Sequence, residues 1–362
     1  MNFPTSTHKS RWLLSETELQ ERRCARYDKS VKDIERYKPE ASTSSWVSME
    51  EEKQLFRYYE KLISKICVLF RFPRKIVAIS IVYFKRFYLK YSILDYDPWT
   101  VMITCVYLAC KVENAYISAE ELAKGVQQDA RIVEKIVLGS EMNLLQGLDF
   151  DLVVHTPYSA FDGFCFDLEN YVQEKLTGSE RWDHEKAEAF VESLKRKGYQ
   201  SIDALLFSDG PLLYAPGLLA YAALEMALKS CDEGKMLGEY SLSLLERTGI
   251  QSSQLASNVE KIHKLGQKGS KSLIEETTLK DIDRKLKLCR NPVYDPSSST
   301  YKKQQAEKQK QKLQAKANLK RSVAQDAQAL GLSEADEDFF FTENKQDPKR
   351  RKSKESKETT TT

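Results

Sequence analysis

The run Asp97-Pro98-Trp99-Thr100-Val101-Met102-Ile103-Thr104-Cys105-Val106-Tyr107-Leu108-Ala109-Cys110-Lys111-Val112 decides the fold. An acidic residue before a proline marks a helix start. The carboxylate caps free amides, and proline loses nothing in a first turn whose N–H groups have no helical partner. From Trp99 to Val112 the chain is apolar on nearly every side, and Thr104, Cys105, Ala109 and Cys110 are small enough to let neighbours approach closely. A helix that is apolar all round is buried. This one therefore passes through the middle of a bundle, and other helices must surround it.

Outward from this run the neighbours are legible. Leu55, Tyr58, Tyr59, Leu62, Ile63, Ile66 and Phe70 recur at the three-or-four spacing of one apolar helix face. Phe72-Pro73 starts a second helix through Ile76, Ile79, Tyr83, Phe84, Phe87 and Tyr88, whose aromatic weight suggests burial on more than one side. Ser118-Ala119-Glu120-Glu121 is a capping box ahead of a short helix. A last helix over about Arg131 to Leu148 places Ile132, Ile136, Ser140, Leu144 and Leu148 on one stripe. Five helices joined by short loops make one compact unit over residues 49–152.

Thr156-Pro157 opens a second series over 156–268. An aromatic helix carries Tyr158, Phe161, Phe164, Cys165, Leu168 and Val172. A long charged helix runs from about Asp183 to Phe207 with a possible break at Gly198, and Pro216 starts an alanine-rich run, Leu218 to Leu228. Two shorter helices are expected at Ser241 to Arg247 and Gln254 to Leu265. The order long, long, small-residue central, short, medium repeats that of the first half, which points to internal duplication. Flanking helices are expected over Glu16 to Lys38, in an N-terminal segment 1–48, and over Leu273 to Leu288, in a segment 269–290. From 291 to 362 the composition turns to a charged, mostly disordered tail, within which Lys302 to Arg321 reads either as a lone solvated helix or as disorder.

The fold class is all-α. The formal net charge of +3 gives no global field that would attract nucleic acid. No stretch reaches the roughly 18 apolar residues of a membrane helix, and Met1 to Leu14 lacks the core of a signal peptide, so the reading is a cytosolic or nuclear protein. Seven cysteines without a CxxC pair, several inside apolar runs, read as reduced buried thiols. No dinucleotide, phosphate-loop, nucleophile-elbow or kinase motif occurs, and no HxxxH pair. That pattern points away from catalysis, and it implies no cofactor and no metal. Two charged residues stand out instead: Lys111 at the end of the central helix, and Glu141 between Leu138 and Leu144. Composition alone reads them as a snorkelling lysine and an exposed glutamate.

Tyr83-Phe84-Lys85-Arg86-Phe87-Tyr88, Leu108-Ala109-Cys110-Lys111-Val112-Glu113 and Leu148-Asp149-Phe150 together resemble a cyclin box, in wording nearest to the cyclin H type. Tyr58-Tyr59-Glu60-Lys61, Val153-Val154-His155-Thr156-Pro157-Tyr158 and Arg11-Trp12 agree with this. The likeness is specific from about Trp12 to Phe164 and fades in the second half.

The resemblance implies two tandem five-helix cyclin boxes flanked by N- and C-terminal helices. It implies a non-catalytic subunit that binds and activates a cyclin-dependent kinase of the CDK-activating class. An assembly factor and other subunits of transcription factor IIH would be further partners, in the nucleus, with no direct contact to nucleic acid or membrane. By the same resemblance Lys111 and Glu141 meet on the kinase-facing surface, with Val112, Glu113 and Leu144 as neighbours. Lys349, Arg350, Arg351 and Lys352 suit a nuclear import signal. Gln54-Leu55-Phe56-Arg57-Tyr58 departs from the substrate-docking motif of cell-cycle cyclins, which puts that docking in doubt. Two other readings stay open: another transcriptional cyclin of the C, K or T type, and a transcription factor IIB-like DNA adaptor. The latter family carries a zinc ribbon, for which no paired CxxC exists here.

Overall fold

The computed structural model describes residues 2–37, 46–175, 184–231, 240–241, 244, 252–269 and 275–329. No strand occurs among them. The chain forms two compact units, Met1–Asp295 and Pro296–Thr362.

In the first unit, α1 (Thr7–Trp12) and α2 (Glu16–Tyr37) precede five helices, α3 (Met49–Leu69), α4 (Arg74–Lys90), α5 (Pro98–Val112), α6 (Ala119–Gly125) and α7 (Ala130–Gly147). The expected start signals hold. Asp97 accepts the Thr100 N–H at 2.9 Å, and Ser118 and Glu121 exchange both bonds of a capping box. A second capping box, Ser48 with Glu51, starts α3. α5 is buried along almost its whole length and packs on α3, α4 and α7. α4 is buried from Ile76 to Leu89 without interruption, because it lies between α3, α5 and α7 on one side and α2 on the other.

On the fifth helix the expected stripe is inward at Leu144 and Leu148 and departs at the N-terminal end. Val133, Val137, Leu144 and Leu148 face the core, while Ile132 is exposed. Two stripes meet at Leu144 and diverge toward the start of α7, and there packing against α5 and α6 selects the valines.

The second series comprises α8 (Pro157–Lys175), α9 (His184–Leu206), the one-turn α10 (Gly210–Leu213), α11 (Pro216–Lys229) and α12 (Ser252–Gly269). The alanine-rich α11 is central, packed on α8, α9 and α12. α9 runs through Gly198 without a break. A Cβ there would lie 1.9 Å from the Phe161 ring, so the glycine makes room for an aromatic side chain of α8. The helix expected over Ser241 to Arg247 lies mostly outside the described residues. Cys67, Cys105, Cys110, Cys165 and Cys289 are buried cysteines outside any disulfide.

The N-terminal segment laces the two series together. The Trp12 indole N–H donates to Asp151 at 3.0 Å, and the Leu14 N–H donates to the Leu212 carbonyl at 2.8 Å. Trp12, Leu14 and Leu19 share a small core with Leu89 and Leu212. Arg23 grips Asp209 through both terminal nitrogens, at 2.6 and 2.9 Å.

The C-terminal helix α13 (Glu276–Leu288) packs on α3, with Lys285 bonded to Glu51 at 2.5 Å. Residues 291–295, which composition groups with the tail, are part of the packed unit. The Asn291 side chain donates to Asp95 at 2.8 Å and its N–H donates to the Leu94 carbonyl, and Tyr294 packs on Tyr91 and Tyr96. Within the second unit, α14 (Ser299–Ala329) is a long helix, so of the two readings of Lys302 to Arg321 the helical one holds. Its N-terminus is capped by Ser298, whose hydroxyl accepts the Tyr301 N–H at 3.0 Å.

Candidate docking surface

Lys111 occupies the last turn of α5, where a cation faces the unpaired carbonyls of the helix end. The helix stops one residue beyond it, at Val112. Asn114 takes φ 56°, the left-handed conformation that asparagine tolerates, and the Ala115 N–H closes back on the Cys110 carbonyl at 2.9 Å. Glu141 sits two turns before the end of α7, the helix that packs along α5. Close packing of these two helices brings the Lys111 Nζ to 2.5 Å from Glu141 Oε1. The lysine side chain is 45% exposed and the glutamate 19%. The Lys111 ammonium also lies over the Tyr107 ring, 5.6 Å from its centre. The pair is thus half-submerged: oriented by its own helices, yet open to a partner.

The named neighbours play different parts. Val112 is half-buried and packs on the core. Glu113 closes α5 by donating its N–H to the Ala109 carbonyl, and its carboxylate binds Lys75 of α4 at 2.5 Å. Leu144 is 2% exposed and belongs to the core. It fixes the rotation of α7 under Glu141 and offers no surface of its own.

What the sequence reading missed is the apolar ledge beside the pair. Leu138 and Met142, four apart and on one face of α7, are 61% and 55% exposed, and Ile132 is exposed one and a half turns earlier. Tyr116, just past α5, is 83% exposed. A Cβ built on Gly139 meets nothing within 4 Å, so this side of α7 is open. Scattered single apolar residues on a surface are ordinary, whereas a row of them along an ion pair is the composition of an interface centre.

The motif residues that carry the resemblance mainly hold the fold. Lys85 binds Glu60 at 2.6 Å, and both are buried. Arg86 is fully buried, stacks on the Trp12 ring at 4.9 Å and donates to the Asp151 carbonyl at 3.3 Å. The His155 N–H donates to His8 Nδ1 at 3.1 Å. Lys349, Arg350, Arg351 and Lys352 lie outside the described residues. Among the described residues no group of His, Cys, Asp and Glu could hold a metal ion, and no helix is long and apolar enough to cross a membrane.

Residues 31–153 match the family model described as the cyclin N-terminal domain. The chain is 33% identical to Cyclin-H1-1 of Arabidopsis thaliana over 315 residues, covering 80% of this chain and 88% of that one. It is 32% identical to Cyclin-H of Xenopus laevis, covering 61% and 67% respectively. Among solved structures, a chain of the CAK complex from Chaetomium thermophilum shares the fold with a TM-score of 0.69 at 19% identity, covering 85% and 94%. A chain of the yeast TFIIK complex matches with a TM-score of 0.55 at 26% identity, covering 73% and 100%. An all-helical chain built round two apolar central helices, with these relatives, belongs to the cyclin family, among the cyclins of the H type.

Proposed function

We propose that this chain is a non-catalytic regulatory subunit that binds a cyclin-dependent kinase through α5 and α7 and switches it on. The observation that carries the reading is the Lys111–Glu141 pair, set on two rigid helices beside exposed Leu138 and Met142. A kinase is active when the helix bearing its active-site glutamate swings in, so that the glutamate pairs with the ATP-binding lysine. A fixed apolar ledge with one charged anchor binds that helix best in the inward position, and differential affinity of this kind shifts the equilibrium. Lys111 donates to main-chain carbonyls at the end of the kinase helix, and Glu141 holds the ammonium in place. Val112 and Glu113 support that end of α5, and Leu144 supports α7 from beneath.

The kinase is of the CDK-activating class, and the complex works with an assembly factor inside transcription factor IIH, on other cyclin-dependent kinases and the RNA polymerase II tail. The relatives' names support this: the solved neighbours are a CAK complex and TFIIK. We place the first box at 49–152, the second at 156–268, and the complex in the nucleus, with Lys349-Arg350-Arg351-Lys352 as the import signal.

The test is to purify the tagged chain, identify the co-eluting kinase by mass spectrometry, and assay its activity with and without Lys111→Ala plus Glu141→Ala. Loss of an anchored charge contact costs about 2–5 kcal/mol of binding. A folded double variant that activates its kinase normally would remove these residues from the mechanism.

A further inference from the structure

Away from the α5–α7 surface, a cleft of about 410 Å³ opens where α2, α3 and α4 of the first half meet α10, α12 and the end of α9. Its walls carry five cations, Arg23, Lys53, Arg57, Lys85 and Lys268, and three carboxylates, Glu50, Glu60 and Asp209. Each carboxylate is already matched. Glu60 is bound to Lys85 at 2.6 Å on the buried floor, Asp209 to Arg23 at 2.6 Å, and Glu50 to Lys53 at 3.4 Å. Arg57 and Lys268 are left over, each exposed and with no ion pair among the described residues. The cleft therefore holds two uncompensated positive charges, one from α3 of the first half and one from α12 of the second.

The frame that carries them is stiff. A Cβ on Gly269, next to Lys268, would fall 2.0 Å from the Ala204 carbonyl oxygen, so the end of α12 lies directly on α9. Arg57 is one turn before Glu60 on α3, whose own side chain is locked to Lys85. Gln20 adds an amide to the wall, the Ser208 hydroxyl being engaged by the Leu205 carbonyl at 2.6 Å, and Phe56, Leu89 and Leu212 add apolar surface. Two surplus cations, rooted on packed helices, with the Gln20 amide as a further donor, match a dianion of tetrahedral oxygens. The apolar wall and a volume well above that of a bare oxyanion call for an organic body attached to it.

We propose that this cleft binds a phosphate monoester, gripped by Arg57 and Lys268 and seated on Phe56 and Leu212. Its source is either a phosphorylated serine or threonine in a peptide or a small organic phosphate.

The experiment is isothermal titration of the full chain with inorganic phosphate, phenyl phosphate and a short neutral phosphothreonine peptide. We expect one site per chain, phenyl phosphate binding more tightly than inorganic phosphate, and affinity falling as salt is raised. Arg57→Gln and Lys268→Gln should each weaken it by roughly tenfold, the worth of one charge-assisted hydrogen bond. Both side chains are exposed, so the melting temperature of each variant should match the wild type and separate lost binding from lost folding. A peptide that binds more tightly than phenyl phosphate assigns the cleft to a phosphorylated segment; a weaker one assigns it to small phosphates. The proposal is overturned if neither ester binds at millimolar concentration, or if the double variant binds as well as the wild type. Kinase activation by the α5–α7 surface is read in a separate assay and does not depend on this result.

Discussion

Arg26 presents both terminal guanidinium nitrogens to the Glu52 carboxylate, at 2.6 and 2.8 Å, with both residues buried between α2 and α3. Glu52 also accepts from the Ser92 hydroxyl at 3.0 Å and the Ile93 N–H at 3.3 Å, and Arg26 donates to the Tyr91 carbonyl at 3.0 Å. One ion pair thus joins the N-terminal helix to the turn between α4 and α5.

Breaking that pair from one side strands a buried charge. Arg26→Met is expected to cost about 3–5 kcal/mol, because Glu52 then has no cation. Arg26→Met with Glu52→Gln should cost less than the sum of the two single changes, since no bare charge remains. Urea unfolding of the four proteins measures the coupling, and strict additivity would show that the pair contributes nothing.

On the α7 surface, Leu138→Asp and Met142→Asp change exposed side chains, for which stability effects stay within about 0.5 kcal/mol. Each should leave the melting temperature alone yet lower affinity for the kinase by roughly tenfold or more, the cost of a charge in an apolar interface centre. Surface plasmon resonance against the purified kinase subunit reads this. Unchanged affinity in both variants would move the docking surface elsewhere.

Gly198→Ala forces a methyl group into the Phe161 ring, 1.9 Å from its nearest carbon. Overpacking of this kind costs about 1–3 kcal/mol. The same change at Gly139, where a Cβ has open space, should instead stabilise α7 by about 0.5–1 kcal/mol through helix propensity. Opposite shifts in thermal midpoint are the expected signature, and a neutral Gly198→Ala would mean that α8 and α9 can slide apart.

Acid should act on the N-terminal segment through Asp209, the partner of Arg23. Burial alone would raise its carboxyl, but the hydrogen bonds and charge of Arg23 outweigh that and hold it at about 2, below the ordinary 3.8. A carboxyl depressed on folding adds stability that is fully present above pH 3.8 and is lost as pH falls through 2. Asp209→Asn should therefore be less stable than the wild type at neutral pH, with the gap closing between about pH 4 and pH 2. Denaturant midpoints across that range would contradict this if the gap stayed constant.

Much of the fold is legible in local chemistry. Asp97-Pro98 and Ser118 with Glu121 mark helix starts whose capping depends only on residues within one turn, and the all-round apolar pattern of α5 demands burial whatever surrounds it. The inward face at the start of α7 is not legible in this way. Ile132 and Val133 both sit on three-or-four stripes, and only contact with α5 and α6 decides which turns inward. For the same reason the exposure of Leu138 and Met142 has no local signature. Lys111 and Glu141 stand out one at a time. Their meeting across 30 positions is a tertiary fact, for which the cyclin resemblance, and no periodicity, supplies the expectation. Nothing local marks Gly198 as a seat for an aromatic ring, since the Phe161 that fills it belongs to another helix.

The lacing of the N-terminal segment across both helical series sets an order of assembly that runs against the order of synthesis. Arg23 leaves the ribosome 186 residues ahead of Asp209, a lead of roughly 10–40 s at ordinary elongation rates. Trp12 waits for Asp151, and Leu14 waits for Leu212, so α1 and α2 settle only after segments made well behind them. Until then the side of this small core that Leu212 covers stays open and Arg23 lacks its carboxylate, so the nascent chain carries its own unsealed seam for as long as the second half takes to be made.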